Sequence, residues 1–147
     1  MSNPSLPFET TLFVRDTCLC LHAQRAARAL GRRFDEALRP VGISSGQFSL
    51  LMSLNRPKPP SIGAVASLLA MDRTTLTANL KPLERRGLLM TAIDPADRRS
   101  RTLSLTEAGE RLLETAVPIW RRTHAELDAA LTEPKAQMLR DGLNALA

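Results

Sequence analysis

The chain has no tyrosine, and only 3% of its residues are aromatic. Reading single-stranded nucleic acid by base stacking needs several aromatic platforms, so that mode is excluded. The two cysteines, Cys18 and Cys20, are too few and too close for a disulfide framework. No run of about 18 apolar residues is present, which excludes a membrane-spanning helix. The opening Met1-Ser2-Asn3-Pro4-Ser5-Leu6-Pro7 lacks the charged-then-apolar order of a secretory signal, and a cytoplasmic location is expected. Phosphate-cradling glycine loops, zinc-protease motifs and nucleophile elbows are missing too. Asp94 and Asp97 fall at an exposed turn, a poor place for acid–base catalysis. The chain is therefore not expected to be an enzyme or to carry a cofactor.

What is present is an ordinary globular composition. The 147 residues are 44% hydrophobic and 24% charged, enough for one domain with a core and too apolar for a disordered chain. Net charge is +5, which favours acidic partners, nucleic acid first. The positive charge is local. Residues 72–101 hold seven Lys/Arg against four Asp/Glu, whereas residues 102–147 hold five against seven.

The apolar spacing predicts mainly helix. Leu12, Leu19, Ala23, Ala26, Leu30, Phe34 and Leu38 recur at three- and four-residue steps, giving one long helix over 8–39 that Pro40 and Gly42 stop. Ser44 and Gln47 form a capping box for a second helix. Ser61 caps a short third helix through Leu69. Asp72 caps a fourth reaching Arg86, with Gly87 as its stop and Pro82 bending its last turn. The period then changes. Residues 88–92 and 102–105 read as strands around the turn Asp94-Pro95-Ala96-Asp97. Thr106 caps a fifth helix to about Leu131, and Thr132-Glu133-Pro134 starts a sixth that ends near Ala147. Six helices plus a β-hairpin wing describe a mainly α winged helix-turn-helix, with 1–147 as a single domain and 44–106 as its DNA-binding lobe.

Ala66, Ala70 and Leu76 stand where a helix-turn-helix needs a small residue, a turn residue and an apolar anchor. The turn position usually holds glycine, and Ala70 departs from that. In the helix after it, Leu76, Leu80 and Leu83 face the core. Arg73, Thr74, Thr75, Thr77, Ala78, Asn79 and Lys81 form the remaining face, small and polar enough to enter a groove closely. Arginine suits guanine edges, asparagine suits adenine, and threonine methyls can meet thymine methyls. The hairpin tip carries Arg98, Arg99 and Arg101; a narrow minor groove attracts such side chains. Asp97 is expected to hold Arg99 by a charge-assisted bond and so fix its direction.

On these residues the chain resembles the MarR family of bacterial transcription regulators. Asp72-Arg73-Thr74-Thr75-Leu76-Thr77 is similar to the start of the family's recognition helix, and Leu83-Glu84-Arg85-Arg86-Gly87-Leu88-Leu89 to its helix-to-wing junction. Asp94-Pro95-Ala96-Asp97-Arg98-Arg99, followed by Leu103-Ser104-Leu105-Thr106-Glu107-Ala108-Gly109, resembles its wing and the next helix. The resemblance implies a homodimer interlocked through residues 8–39 and 107–147. It implies one recognition helix per subunit in successive major grooves of a near-palindromic duplex site, about 34 Å apart. It also implies a repressor released by a small effector. Met90-Thr91-Ala92-Ile93 departs from the pattern, because many relatives carry basic residues there.

The resemblance places the effector near His22, Arg25 and Arg28, which can clamp an aromatic carboxylate. Cys20 sits where the peroxide-sensing branch keeps its reactive cysteine. That branch stabilises the thiolate with tyrosines, and Phe34 and Ser45 stand in their places here. Cys20 is thus expected to be a buried small apolar residue, with a redox sensor as the alternative. Cys18 and His22 share a helix face, but a metal site would need further ligands, and His124 is the only other histidine. A winged helix used only for protein contact is the remaining rival class. It would need an apolar patch where this chain carries arginines.

Overall fold

In the computed structural model, which describes residues 3–147, seven α-helices and one hairpin follow in the order α1 (Phe8–Thr17), α2 (Leu19–Leu38), α3 (Ser45–Ser53), α4 (Ile62–Leu68), α5 (Arg73–Arg85), β1 (Leu89–Ile93), β2 (Arg101–Leu105), α6 (Glu107–Leu131) and α7 (Lys135–Asn144). The architecture is the expected winged helix with one helix more. The stretch expected as one helix over 8–39 divides at Cys18, whose backbone is extended (φ −70°, ψ 109°). Two polar side chains explain the division. The Thr17 hydroxyl donates to the Phe13 carbonyl at 2.7 Å, and the Cys18 thiol accepts the Leu21 N–H at 3.4 Å as the cap of α2. Apolar spacing runs on through the break, so periodicity alone does not register it.

Most caps form as the sequence predicts. Ser44 and Gln47 close their capping box, and Ser61, Asp72 and Thr106 each accept a backbone N–H three residues on. Helix α5 continues past Pro82 to Arg85, and Gly87 follows with φ +71°. The last helix starts later than expected, at Lys135, with Pro134 as its cap rather than its first residue.

The core lies where α2, α3, α4, α5, α6 and the wing base meet. Leu38, Leu51, Val65, Leu76, Leu83 and Leu103 are fully buried there. Strands β1 and β2 pair antiparallel from Leu89 opposite Leu105 to Ile93 opposite Arg101. The wing is tied to the segment before α4 as well: Ser61 bridges Thr102, and the Leu103 N–H donates to the Pro60 carbonyl at 2.9 Å.

The wing root is also clamped to α6. The Thr106 N–H donates to the Leu88 carbonyl at 3.1 Å and its hydroxyl to the Gly87 carbonyl at 2.5 Å. Gly109, one turn into α6, passes so close that a Cβ there would lie 2.1 Å from the Leu88 carbonyl oxygen. Gly109→Ala should therefore force α6 off the wing root and cost about 2 kcal/mol or more of stability. Gly142, in α7, has nothing within 4 Å of such a Cβ. Gly142→Ala should be neutral or stabilising by about 0.5–1 kcal/mol. Urea unfolding of the two variants measures both; equal effects would remove the close-approach account.

Candidate nucleic-acid interface

The helix-turn-helix turns on Ala70. Its φ is +52°, the left-handed region that glycine adopts more cheaply. The Met71 N–H reaches back to the Ala66 carbonyl at 2.9 Å, closing the turn. Ala66 and Leu76 are buried on either side, so all three positions of the sequence pattern do what the motif requires.

Asp72 sets the start of α5. Its carboxylate accepts the Thr75 N–H at 2.7 Å and the Thr75 hydroxyl at 2.8 Å. The Thr75 backbone bond first, and its hydroxyl second, hold the Asp72 carboxyl below its ordinary pKa of 3.8. The hydroxyl proton of Thr75 is thus committed to the cap, leaving Thr75 an acceptor and a methyl.

Leu76, Leu80 and Leu83 are buried, and every other site residue foreseen on α5 is exposed. Thr74, Thr77, Ala78 and Lys81 stand opposite the leucines and form the outermost ridge. Arg73 and Asn79 lie on the two flanks. The Arg73 guanidinium rests against Gly63 of α4, 2.9 Å from where a Cβ would stand. Asn79 leans toward Met71, its amide nitrogen 3.8 Å from the sulfur.

The hairpin tip is built from its own backbone. The Asp94 N–H donates to the Ser100 carbonyl at 3.1 Å, and the Ser100 N–H to the Asp97 carbonyl at 2.9 Å. Asp94 accepts the Ala96 N–H at 2.9 Å, and Asp97 accepts the Arg99 N–H at 3.0 Å. The expected bond from Asp97 to the Arg99 guanidinium is not made. A short carboxylate closes more readily on the N–H two residues ahead than on the end of a long side chain, so Asp97 fixes the peptide and leaves the guanidinium free. Arg101 turns inward and braces the tip through the carbonyls of Arg98 (3.3 Å) and Ser100 (3.2 Å). Among the described residues, none of Arg73, Lys81, Arg98 and Arg99 is ion-paired. Helix face and tip together are a surface of uncompensated positive charge.

The residues foreseen for an effector gather on one helix only. His22, Arg25 and Arg28 line a shallow groove on the exposed face of α2 together with Arg32. The His22 ring lies 2.7 Å through Nδ1 from the Cys18 carbonyl. Cys20 is exposed, not buried as expected, while Cys18 is half-buried. The reason is the early part of α2, which stands clear of the core; the only fully buried residue in the helix is Leu38. A better-enclosed cavity than the α2 groove lies between α2, α3 and α6. It is about 250 Å3, with Phe34, Phe48, Trp120 and His124 around it. Trp120 and His124 lie 4.8 Å apart, and His124 Nδ1 is 3.2 Å from Asp128. Phe34 and Ser45 were singled out in the sequence and His124 was weighed there only as a metal ligand, but Trp120 and its pairing with His124 were missed. Their spacing of four on one helix was the available signal.

A two-helix reader with a basic hairpin beside it defines a winged helix-turn-helix, a class that regulates transcription rather than catalysing a reaction. Residues 43–100 match the MarR family model. The organic hydroperoxide resistance transcriptional regulator of Bacillus subtilis is 31% identical over 101 residues, 69% of each chain. The M. tuberculosis transcriptional regulator MosR, solved in complex with DNA, is 37% identical over 87% of this chain and 92% of its own, with a TM-score of 0.78. The transcriptional repressor CouR, bound to a 23-mer DNA duplex, is 28% identical over 90% and 94%, with a TM-score of 0.80. The chain belongs to the MarR family of transcription regulators. No helix among the described residues is long and apolar enough to cross a membrane.

The Asp72 cap carries a pH signature. A carboxyl whose folded pKa is lowered adds stability above its ordinary value and loses it as pH falls through the lower one. Asp72→Ala should therefore be less stable than the parent near neutral pH. The gap should narrow as pH falls below 3.8, measured by chemical unfolding across the acid range. A gap independent of pH would mean that the charged cap is not what stabilises α5.

Proposed function

We propose that this regulator binds a near-palindromic operator in duplex DNA as a homodimer, acting as a cytoplasmic repressor that a small aromatic carboxylate releases. The observation that carries the reading is the exposed, unpaired polar ridge of α5 beside the free arginines of the tip. Thr74, Thr77, Ala78 and Lys81 enter the major groove foremost. Arg73, Thr75 and Asn79 reach its walls, with Arg73 and Asn79 available for guanine and adenine edges. Arg98 and Arg99 address the neighbouring minor groove from a loop that Asp97 keeps rigid. Residues 44–106 act as the reading lobe.

Apolar surface left uncovered in the single chain supports the dimer. Phe8, Phe13 and Val14 of α1 and Met138, Leu139 and Leu143 of α7 are all exposed in the single chain. Such a set is large for a monomer and suits an interface formed by the two chain ends. That CouR is described as a repressor, and that MosR and CouR were solved with DNA, supports both the operator and the sign of regulation.

The effector is assigned to His22, Arg25 and Arg28. The arginines have no carboxylate within ion-pair distance among the described residues, so they are free to hold an anionic ligand. The exposed thiol of Cys20 keeps a second reading open, release by a peroxide, in line with the name of the Bacillus subtilis relative.

Arg99→Ala should weaken binding to the protein's own promoter DNA across sequences and reduce the salt slope by about one charge. Fluorescence anisotropy at several salt concentrations checks it. Unchanged affinity and slope would remove the tip from the interface, and a protein that stays monomeric would remove the dimer.

The two release readings separate in a mobility-shift assay. Salicylate should free the DNA from the parent and from Cys20→Ser, but not from the Arg25→Ala/Arg28→Ala double variant. Release by cumene hydroperoxide in the parent, lost in Cys20→Ser, would favour the thiol instead.

A further inference from the structure

A glycine inside a helix is less stable than an alanine there, so a helical glycine calls for a reason. Gly63 stands in the first turn of α4. Among the described glycines, Gly42 and Gly87 take a positive φ and Gly63 does not, so backbone freedom is not the reason. The space beside it is. A Cβ at Gly63 would lie 2.9 Å from Nη2 of Arg73 and 3.8 Å from its Cζ. The Ser61 hydroxyl, 3.9 Å from the same point, is at ordinary contact distance and would not have to move. At Gly109 the close neighbour is a backbone carbonyl, which holds the fold together; at Gly63 it is the far end of a long side chain. Glycine at position 63 therefore decides where one guanidinium rests.

Arg73 is the first residue of α5, and helical side chains point back toward the start of their helix. Its guanidinium accordingly folds back onto α4 and lies against Gly63. It has no ion-pair partner among the described residues. The neighbouring carboxylate, Asp72, is closed on the N–H and hydroxyl of Thr75. The charge of Arg73 is thus held in place and left for a ligand.

A helix-turn-helix lays its second helix in the major groove while its first crosses the DNA backbone. With α5 in the groove, the reading on which this inference rests, Arg73 has two destinations: a guanine edge on the floor or a phosphate on the wall. A guanidinium resting on α4 is beside the helix that crosses the backbone, so the phosphate is the nearer of the two. We propose that Gly63 is a specificity-determining residue: the space it leaves sends Arg73 to a backbone phosphate and keeps it off the bases. A side chain at position 63 fills that space, swings the guanidinium out over the groove and adds a guanine preference that the parent lacks. Gly63 acts through Arg73, as a positioning residue.

Fluorescence anisotropy tests it, with the operator from the protein's own promoter, its single-base-pair variants and an unrelated duplex, each over a range of salt. Arg73→Ala should weaken every duplex by the same several-fold factor and lower the salt slope by about one charge. The ranking of the base variants should stay that of the parent. Arg73→Lys, which keeps the charge, should restore the slope. Gly63→Ala should unfold in urea no earlier than the parent, because only a mobile side-chain end gives way. It should gain about fivefold or more preference for guanine at one position of each half-site. In the Arg73→Ala background, Gly63→Ala should alter neither affinity nor ranking; a role in packing α4 would still show there. Arg73→Ala that erases a preference at one base position means that Arg73 already reads a base, and overturns the proposal. So does Gly63→Ala that binds as the parent does, unfolds earlier, or keeps its effect without Arg73. A parent that ignores duplex DNA removes the function itself. A parent that binds, while Arg73→Ala leaves affinity and slope unchanged, removes this inference alone.

Discussion

The close approach of α6 to the wing root positions the rest of the molecule. Gly109 lets a helix backbone lie against the Leu88 carbonyl, and Thr106 bonds the carbonyls of both Gly87 and Leu88. Three elements are fixed at once: the C-terminal end of α5, the first residue pair of the hairpin and the first turn of the longest helix. Polar atoms that would otherwise be lost at a helix end and a strand end are satisfied by one another. The same junction sets the angle between the reading face of α5 and the tip of the wing. On the other side, Arg86 donates to the Gly42 carbonyl at 2.8 Å and links the end of α5 to the turn after α2.

Charge is arranged with the same economy. Negative groups near the reading surface are spent on local backbone: Asp72 on the start of α5, Asp94 and Asp97 on the hairpin tip. Each carboxylate that closes on an N–H is one that does not neutralise a neighbouring arginine. Arg101 is turned inward to brace the loop, while Arg98 and Arg99 stay outward. A surface rigid in its backbone and unpaired in its long side chains suits a polyanion, because little order has to be imposed when it binds.

Much of this was legible in the sequence. Caps at Ser44, Ser61, Asp72 and Thr106 are local events governed by a few neighbouring atoms, and each forms as its residue type dictates. The buried face of α5 followed from spacing alone. The division of α1 from α2 did not, because it depends on a threonine back-bond and a thiol cap that leave the apolar period intact. Cys20 was misplaced for a related reason. Periodicity tells which side of a helix is apolar, not whether another element covers it, and the early part of α2 is uncovered in this chain.

The sequence by itself determined the element types, most of the helix starts and the family, since these depend on contacts within a few residues and on motifs that survive in order along the chain. Only the tertiary structure decided which polar groups remain free. Arg86 is taken by the Gly42 carbonyl, Arg33 by Glu126 and the Thr106 hydroxyl by the Gly87 carbonyl, while Arg98 and Arg99 keep no ion-pair partner among the described residues. The physical reason is competition. A donor or acceptor is taken by the nearest partner that geometry allows, and residues far apart in the chain become neighbours only once it has folded.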